Sequence, residues 1–341
     1  MQGANAAPAP EDWACDTPSR GLVGGLDDWR EAMSDTAGTT ATIAAGKAAS
    51  SRTGAYLALV AGILCIAWSA IFVRWTDVPG SVSAFYRMLI PATILLPTFF
   101  ADRKAAMPSW GTLKVIALGG VFFALDLALY NTAILLTSAA NATLLANNTP
   151  IVVGLLTWLV WRRKPRPAFW IGLLLAVCGS MVILWADLRR HAQFGIGDGM
   201  AVVAAIFFAM YLMATERVRT TTSTLGFLRL AMIASTIALL AVNLAMGQSL
   251  RVPNTKTWLA LLAMGLVSQL GGYLALTYAL GHLPATVTSM SLLSQGPLTA
   301  LLAAFLLGEP LSAAQVAGGA LVLSGVGLAH SDKAPEEEAN I

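Results

Sequence analysis

The chain has 341 residues, 57% of them hydrophobic and only 11% charged, with a formal net charge of +3 and a mean hydropathy of +0.69. Soluble domains carry about 25% charged residues, so this composition excludes a soluble globular protein and points to one that crosses a membrane many times. The small net charge leaves no nucleic-acid footprint, and Cys15, Cys65 and Cys178 have neither the number nor the spacing of a disulfide framework or a metal site.

Residues 1–53 are rich in Ala, Gly, Thr and Asp and hold no apolar run long enough for a signal-peptide core. They read as a disordered cytoplasmic tail; a translation start at Met33 is the alternative reading of this region. Gly46-Lys47 fails as a phosphate loop, because Ala48 stands where Ser or Thr is needed. Ten spans follow, predicted at about 54–75, 80–100, 115–136, 141–161, 168–187, 199–216, 224–246, 257–280, 285–307 and 312–330, each near the ~20 residues a helix needs to cross the hydrocarbon. Several connections are a few residues long, so neighbouring helices are antiparallel. Residues 331–341, with Glu336-Glu337-Glu338, are a second solvated cytoplasmic tail.

The chain says nearly the same thing twice. Shifted by 147 positions, Leu127-Ala128-Leu129 falls on Leu274-Ala275-Leu276, Leu145 on Leu292, Pro150 on Pro297 and Leu159 on Leu306. With one residue dropped in the turn, Gly172 and Gly179 fall on Gly318 and Gly325. Phe85-Tyr86-Arg87 opens span two as Phe227-Leu228-Arg229 opens span seven. The repeat is too long for a solenoid unit; it divides the membrane part into halves at 54–187 and 199–330. Five spans per half is odd, so the second half enters the membrane from the opposite side.

Charge agrees with this threading. With the N-terminus inside, 14 Lys and Arg fall in inner connections and tails and 5 in outer ones, with Arg87 and Arg229 left inside spans. The turn after span four, Trp161-Arg162-Arg163-Lys164-Pro165-Arg166, is basic and inner. Its counterpart after span nine, Gly308-Glu309-Pro310, is outer and has no basic residue. The expected fold is thus an all-α membrane protein: ten transmembrane helices as two inverted five-helix repeats around a central cavity, with disordered tails and both termini cytoplasmic.

The residues 54–330 resemble the EamA-like, ten-helix branch of the drug/metabolite transporter superfamily. The likeness is carried by Trp68-Ser69, Arg87, Ala275-Leu276-Thr277-Tyr278-Ala279, Ser291-Leu292-Leu293, Gly296-Pro297, Leu307-Gly308-Glu309-Pro310 and Gly318-Gly319. The first half departs from the pattern where Trp161-Arg162 replaces the Gly-Glu turn, so Glu309 has no partner and reads as structural. The resemblance implies alternating access, a bacterial inner-membrane location and substrates such as amino acids, nucleotide sugars or other metabolites, with export the expected direction. It names a mechanism class and no substrate.

Polar groups inside a bilayer are costly and face the bundle interior. Spans four and nine carry them at matched positions: Asn141 with Thr288, Asn147 with Ser294, and Asn148 with Gln295. Asn141 and Asn148 are two turns apart, and Ser291 and Gln295 one, so each pair shares a face. They read either as cavity walls that hydrogen-bond a substrate or as interhelical bonds. Pro150 and Pro297 free backbone carbonyls near Ala146 and Leu293, which either kinks both helices at one depth or is tolerated. Asp126, the one carboxylate near the middle of a span, reads as a proton or cation site with Tyr130 one turn away, or as a protonated acid bonded to a neighbour. Arg87 binds a substrate anion, pairs with Asp126, or snorkels; Arg229 is expected to snorkel. Trp68, Tyr86, Tyr130, Tyr211, Tyr273 and Tyr278 are candidate aromatic walls. The seven-residue glycine spacings in spans five and ten read as close helix packing.

The expected partners are a small-molecule substrate and the lipid bilayer; a homodimer is admitted but marked by no residue. No cofactor, metal or nucleic acid is expected. A membrane-embedded enzyme is the rival reading, weakened because His191, His282 and His330 all lie at span ends and no ligand cluster recurs. A lipid or amphiphile flippase is the other.

Overall fold

A computed structural model describes residues 53–101, 108–159, 167–191, 195–219, 221–308 and 311–331. Residues 1–52 and 332–341 of the two tails, the basic turn after span four, and Glu309 and Pro310 lie outside the described residues. Within them every regular element is helical. Seven helices are long and apolar enough to cross a membrane: Thr53–Arg74, Trp110–Leu136, Asn141–Leu159, Ile196–Arg219, Thr224–Ala245, Thr255–Leu280 and Ala285–Leu307. They are spans one, three, four, six, seven, eight and nine. Span two is Gly80–Leu95, continued by Thr98–Ala101 beyond a turn at Pro97. Spans five and ten are Pro167–His191 and Ala313–Ser331.

The boundaries follow local chemistry. Span three starts at Trp110, earlier than its apolar run suggests, because the Ser109 hydroxyl accepts the Thr112 N–H at 3.3 Å. Ser138, Ser223 and Asn254 cap spans four, seven and eight in the same way, accepting from Asn141, Gly226 and Thr257. Each such cap contributes about 1 kcal/mol. Span nine ends at Gly308, whose φ of 68° is the left-handed conformation that stops helices and that glycine adopts freely.

The direction of the two halves can be read from contacts. Spans five and ten cross through glycines. A Cβ on Gly172 would lie 2.5 Å from the Gly325 carbonyl oxygen, and one on Gly179 would lie 2.5 Å from that of Gly318. The converse contacts are equally close. Position 172 thus meets 325 while 179 meets 318, so the two helices run antiparallel. Since 172 corresponds to 318 and 179 to 325, the crossing sits on a two-fold axis lying across the helices. Spans two and seven repeat the relation. The Ser81 hydroxyl donates to Asn243 Oδ1 at 2.9 Å, and a long way along the pair Arg229 Nη1 donates to Thr98 Oγ1 at 3.2 Å. Corresponding helices run in opposite directions in both pairs, which is an inverted repeat.

Arg229 of span seven reaches the inner end of span two. It is buried, and its guanidinium carbon sits 3.6 Å from the centre of the Phe99 ring. The ring offers a cation an attractive face without full hydration.

The halves are also tied at a loop. After span one, Asp77 accepts from Asn254 Nδ2 at 2.9 Å and from Thr257 Oγ1 at 3.3 Å, both at the start of span eight. Those hydrogen bonds, Asn254 foremost, and the nearby Lys256 charge hold the Asp77 carboxyl below the usual carboxylate range. A group whose folded pKa is depressed stabilises the fold above its unfolded pKa and loses that contribution as the pH falls through the folded one. The melting temperature of Asp77→Ala should therefore fall below wild type at neutral pH and converge with it in acid. A gap that persists at every pH would show that the ionised carboxylate is not responsible.

Candidate substrate site

Proline breaks two spans at equivalent places. It lacks an N–H and its ring crowds the carbonyl four residues back. In span four the helix stops at Ala146 and restarts at Thr149; in span nine it stops at Leu292 and restarts at Gln295. Tighter bonds bridge each gap: Asn148 N–H to Leu145 O at 3.2 Å, and Ser294 N–H to Ser291 O at 3.1 Å. The breaks face one another. Asn147 is buried, its Nδ2 has no partner among the described residues, and a Cβ on Gly296 would lie 3.8 Å from that nitrogen.

The remaining polar residues of these spans divide by what they touch. Asn148 is half-buried and donates its amide to the carbonyls of Leu144 and Leu145 at 3.3 and 3.2 Å, while the Ala146 carbonyl that Pro150 frees accepts from Thr149 Oγ1 at 2.9 Å. Gln295 is buried as the first residue of the second half-helix, and Ser294 precedes it, half-buried. Ser291 donates to Val287 O at 3.0 Å. Asn141 is buried as the third residue of the capped first turn of span four. The breaks also pack on the first spans of the halves: Thr149 Oγ1 lies 3.4 Å from Ala205 O in span six, and Thr299 Oγ1 donates to Ala67 O in span one at 3.2 Å.

Ala67 precedes a third interruption. Trp68 is a turn residue between two stretches of span one, stacked on Phe72 at 5.8 Å. Ser69 restarts the helix and faces Arg87, the largest fully buried side chain among the described residues. Arg87 Nη1 donates to Ser69 Oγ at 2.5 Å, and Nε donates to Gln269 Oε1 at 2.7 Å. Its guanidinium carbon lies 5.8 Å from the centre of the Tyr273 ring. Arg87 is therefore held by neutral partners.

Gln269 sits in a feature that the sequence does not announce. Met264–Gly272 in span eight is a nine-residue π-helix, a rare form that is frequent at functional sites. Gly265 and Gly272 let it seat against Ile90 of span two and Ile66 of span one. Gln269 is fully buried, and its Nε2 has no partner among the described residues. An unsatisfied buried donor costs about 1–3 kcal/mol, so it calls for a physical reason.

Asp126 is buried beside this group and makes no hydrogen bond to a described residue. The charge acting on it is that of Arg87, at a range longer than a hydrogen bond. Tyr130, one turn on, shares a 2.9 Å hydrogen bond with Thr143 of span four and so links Asp126 to the broken helix. Tyr273 closes the other side in an aromatic cluster, its ring tilted against Phe123 at 4.7 Å and Tyr211 at 6.3 Å. Asp126, Arg87, Tyr130 and Tyr273 thus come together, with Ser69 and Gln269 added. Tyr86 and Tyr278 lie elsewhere: Tyr86 donates to Leu250 O at 2.7 Å, and Tyr278 packs on His282.

The chain is 28% identical over 248 residues to the uncharacterized transporter YwfM of Bacillus subtilis, covering 71% of this chain and 81% of that one. It is 28% identical over 245 residues to the pseudopaline exporter CntI of Pseudomonas aeruginosa, covering 70% and 82%. A solved crystal structure shares the fold at a TM-score of 0.67 and 20% identity, over 82% of this chain and 98% of the other. The model of the EamA-like transporter family matches twice, at residues 52–185 and 195–330. One match falls on each of the two oppositely directed halves, and together they span the helical bundle: this integral membrane protein belongs to the EamA-like transporter family.

Proposed function

We propose that the protein is a secondary active transporter that exports small polar metabolites, amino acids or similar compounds, by alternating access across the bacterial inner membrane, with both termini cytoplasmic. The observation that carries the reading is the meeting of two broken helices, one from each inverted half, beside a buried polar group. Broken helices at the interface of inverted repeats are how secondary transporters bring backbone and side-chain polar atoms to mid-membrane. Asn147, Asn148, Ser294, Gln295, Asn141 and Ser291 line the meeting point, with Trp68, Tyr130 and Tyr273 as walls and Asp126 and Arg87 as the charged pair. The name of the exporter relative favours outward movement. The protein needs no cofactor, and its driving force is an ion gradient or the substrate's own.

The test is uptake into proteoliposomes of labelled amino acids, nucleotides and sugars, with and without a pH gradient. Flux of one class, saturable and dependent on protein, is the expected result. Absence of flux from folded protein would return the enzyme and flippase readings.

Asp126 couples transport to protons in this reading. Wild-type flux should depend on external pH, and Asp126→Asn should flatten that profile, with proton-driven accumulation falling about ten-fold, the loss of about 1.4 kcal/mol of coupling. A variant with the wild-type pH profile would remove Asp126 from the coupling role.

A further inference from the structure

We infer that Gln269 and Arg87 together form a receptor for a carboxylate on the transported solute, so that Gln269 is a substrate-binding and specificity-determining residue. The inference rests on the transport reading above and narrows it from polar metabolites to those that carry an acid group. It begins with the orientation of one amide. Arg87 Nε–H points at Gln269 at 2.7 Å, and a guanidinium has no acceptor, so the oxygen of the amide must face it. The amide nitrogen is left with two N–H groups, wholly buried and without a partner among the described residues.

What the pair still offers is uniform. Arg87 has spent Nε on Gln269 and Nη1 on Ser69. Its Nη2 and the Gln269 Nε2 are both donors, and they sit beside a full positive charge. Donors alone select an acceptor, and the charge selects an anion; adjacent N–H groups on two planar heads suit two carboxylate oxygens. The π-helix fits this role. It carries Gln269 on a stretch seated by glycine against spans one and two, so the amide is presented from the second half to an arginine of the first.

Counterflow in proteoliposomes of the full chain tests the idea with amino acids, their carboxamides and phosphoethanolamine. Wild type should prefer each acid over its amide by about ten-fold or more in KM, a difference of about 1.4 kcal/mol. Gln269→Leu should erase most of that preference by raising the KM of the acid and leaving that of the amide. Gln269→Glu keeps a polar head on Arg87 but occupies it, and should erase the preference while staying folded. A wild type that carries amides as well as acids, or that favours phosphoethanolamine, overturns the inference. So does an acid preference that survives in both variants.

Flux of no compound from folded wild type would instead count against the transport reading. The receptor is then judged by melting of the detergent-purified protein. Stabilisation by the acid, absent with the amide and lost in Gln269→Glu, supports it; equal stabilisation, or none with either compound, overturns it.

Discussion

Arg87→Leu should nearly abolish transport and lower the melting temperature more than any other single change in the polar group. Arg87 carries a charge at 1% exposure, and its removal strands three partners. Gln269 Oε1 and Ser69 Oγ lose their donor, and Asp126 loses the charge that acts on it. Each buried polar partner left without its hydrogen bond costs about 1–3 kcal/mol. Flux should fall by about a hundred-fold or more, the equivalent of roughly 2.7 kcal/mol. Arg87→Lys keeps the charge but not the fixed fork that serves two acceptors at once; it should recover part of the melting temperature and little of the flux. The double variant Arg87→Leu with Gln269→Leu separates the two effects. Removing the stranded amide should restore stability without restoring transport. Near-wild-type flux in Arg87→Leu would take Arg87 out of the site.

The second large effect is steric. At the crossing of spans five and ten, a Cβ on Gly179 would stand 2.5 Å from the Gly318 carbonyl oxygen and 2.9 Å from Val322 N. Both obstacles are backbone, so no rotamer change relieves them and the helices must separate. Overpacking of a tight interior costs about 1–3 kcal/mol, and membrane helices rely on such close contact because lipid is as apolar as they are. Gly179→Ala and Gly318→Ala should each lower the melting temperature in detergent. Together they should cost less than their sum, since one separation relieves both clashes. Gly327→Ala, in the same span but with nothing within 4 Å of its Cβ, is the control and should be neutral. Equal effects at Gly327 and Gly318 would mean that the crossing is not what the glycines serve.

Much of this architecture was legible because the membrane imposes it. Helix length is set by the hydrocarbon, so apolar runs located the spans to within a few residues, and an odd number per repeat required opposite threading. Pro150 and Pro297 located two breaks because proline acts on its own helix, within four residues. The polar centre was less legible because it depends on pairs far apart in the chain. Gln269 meets Arg87 across 182 positions, and it stands alone in an apolar stretch with no periodic polar face to mark it. The π-helix around it contains no proline, and the turn at Trp68 in span one has none either. The matched Asn and Gln positions were visible, but not what they touch. Asn148 bonds its own backbone while Asn147, one residue earlier, faces the other half.

An unbroken helix behaves as a stiff rod: torque applied at one end reaches the other. Spans four and nine are each cut near the middle, at Asn147-Asn148 and at Leu293-Ser294. Each therefore has a two-residue joint where the regular helical bonding lapses, and the two joints occupy equivalent places in oppositely threaded halves.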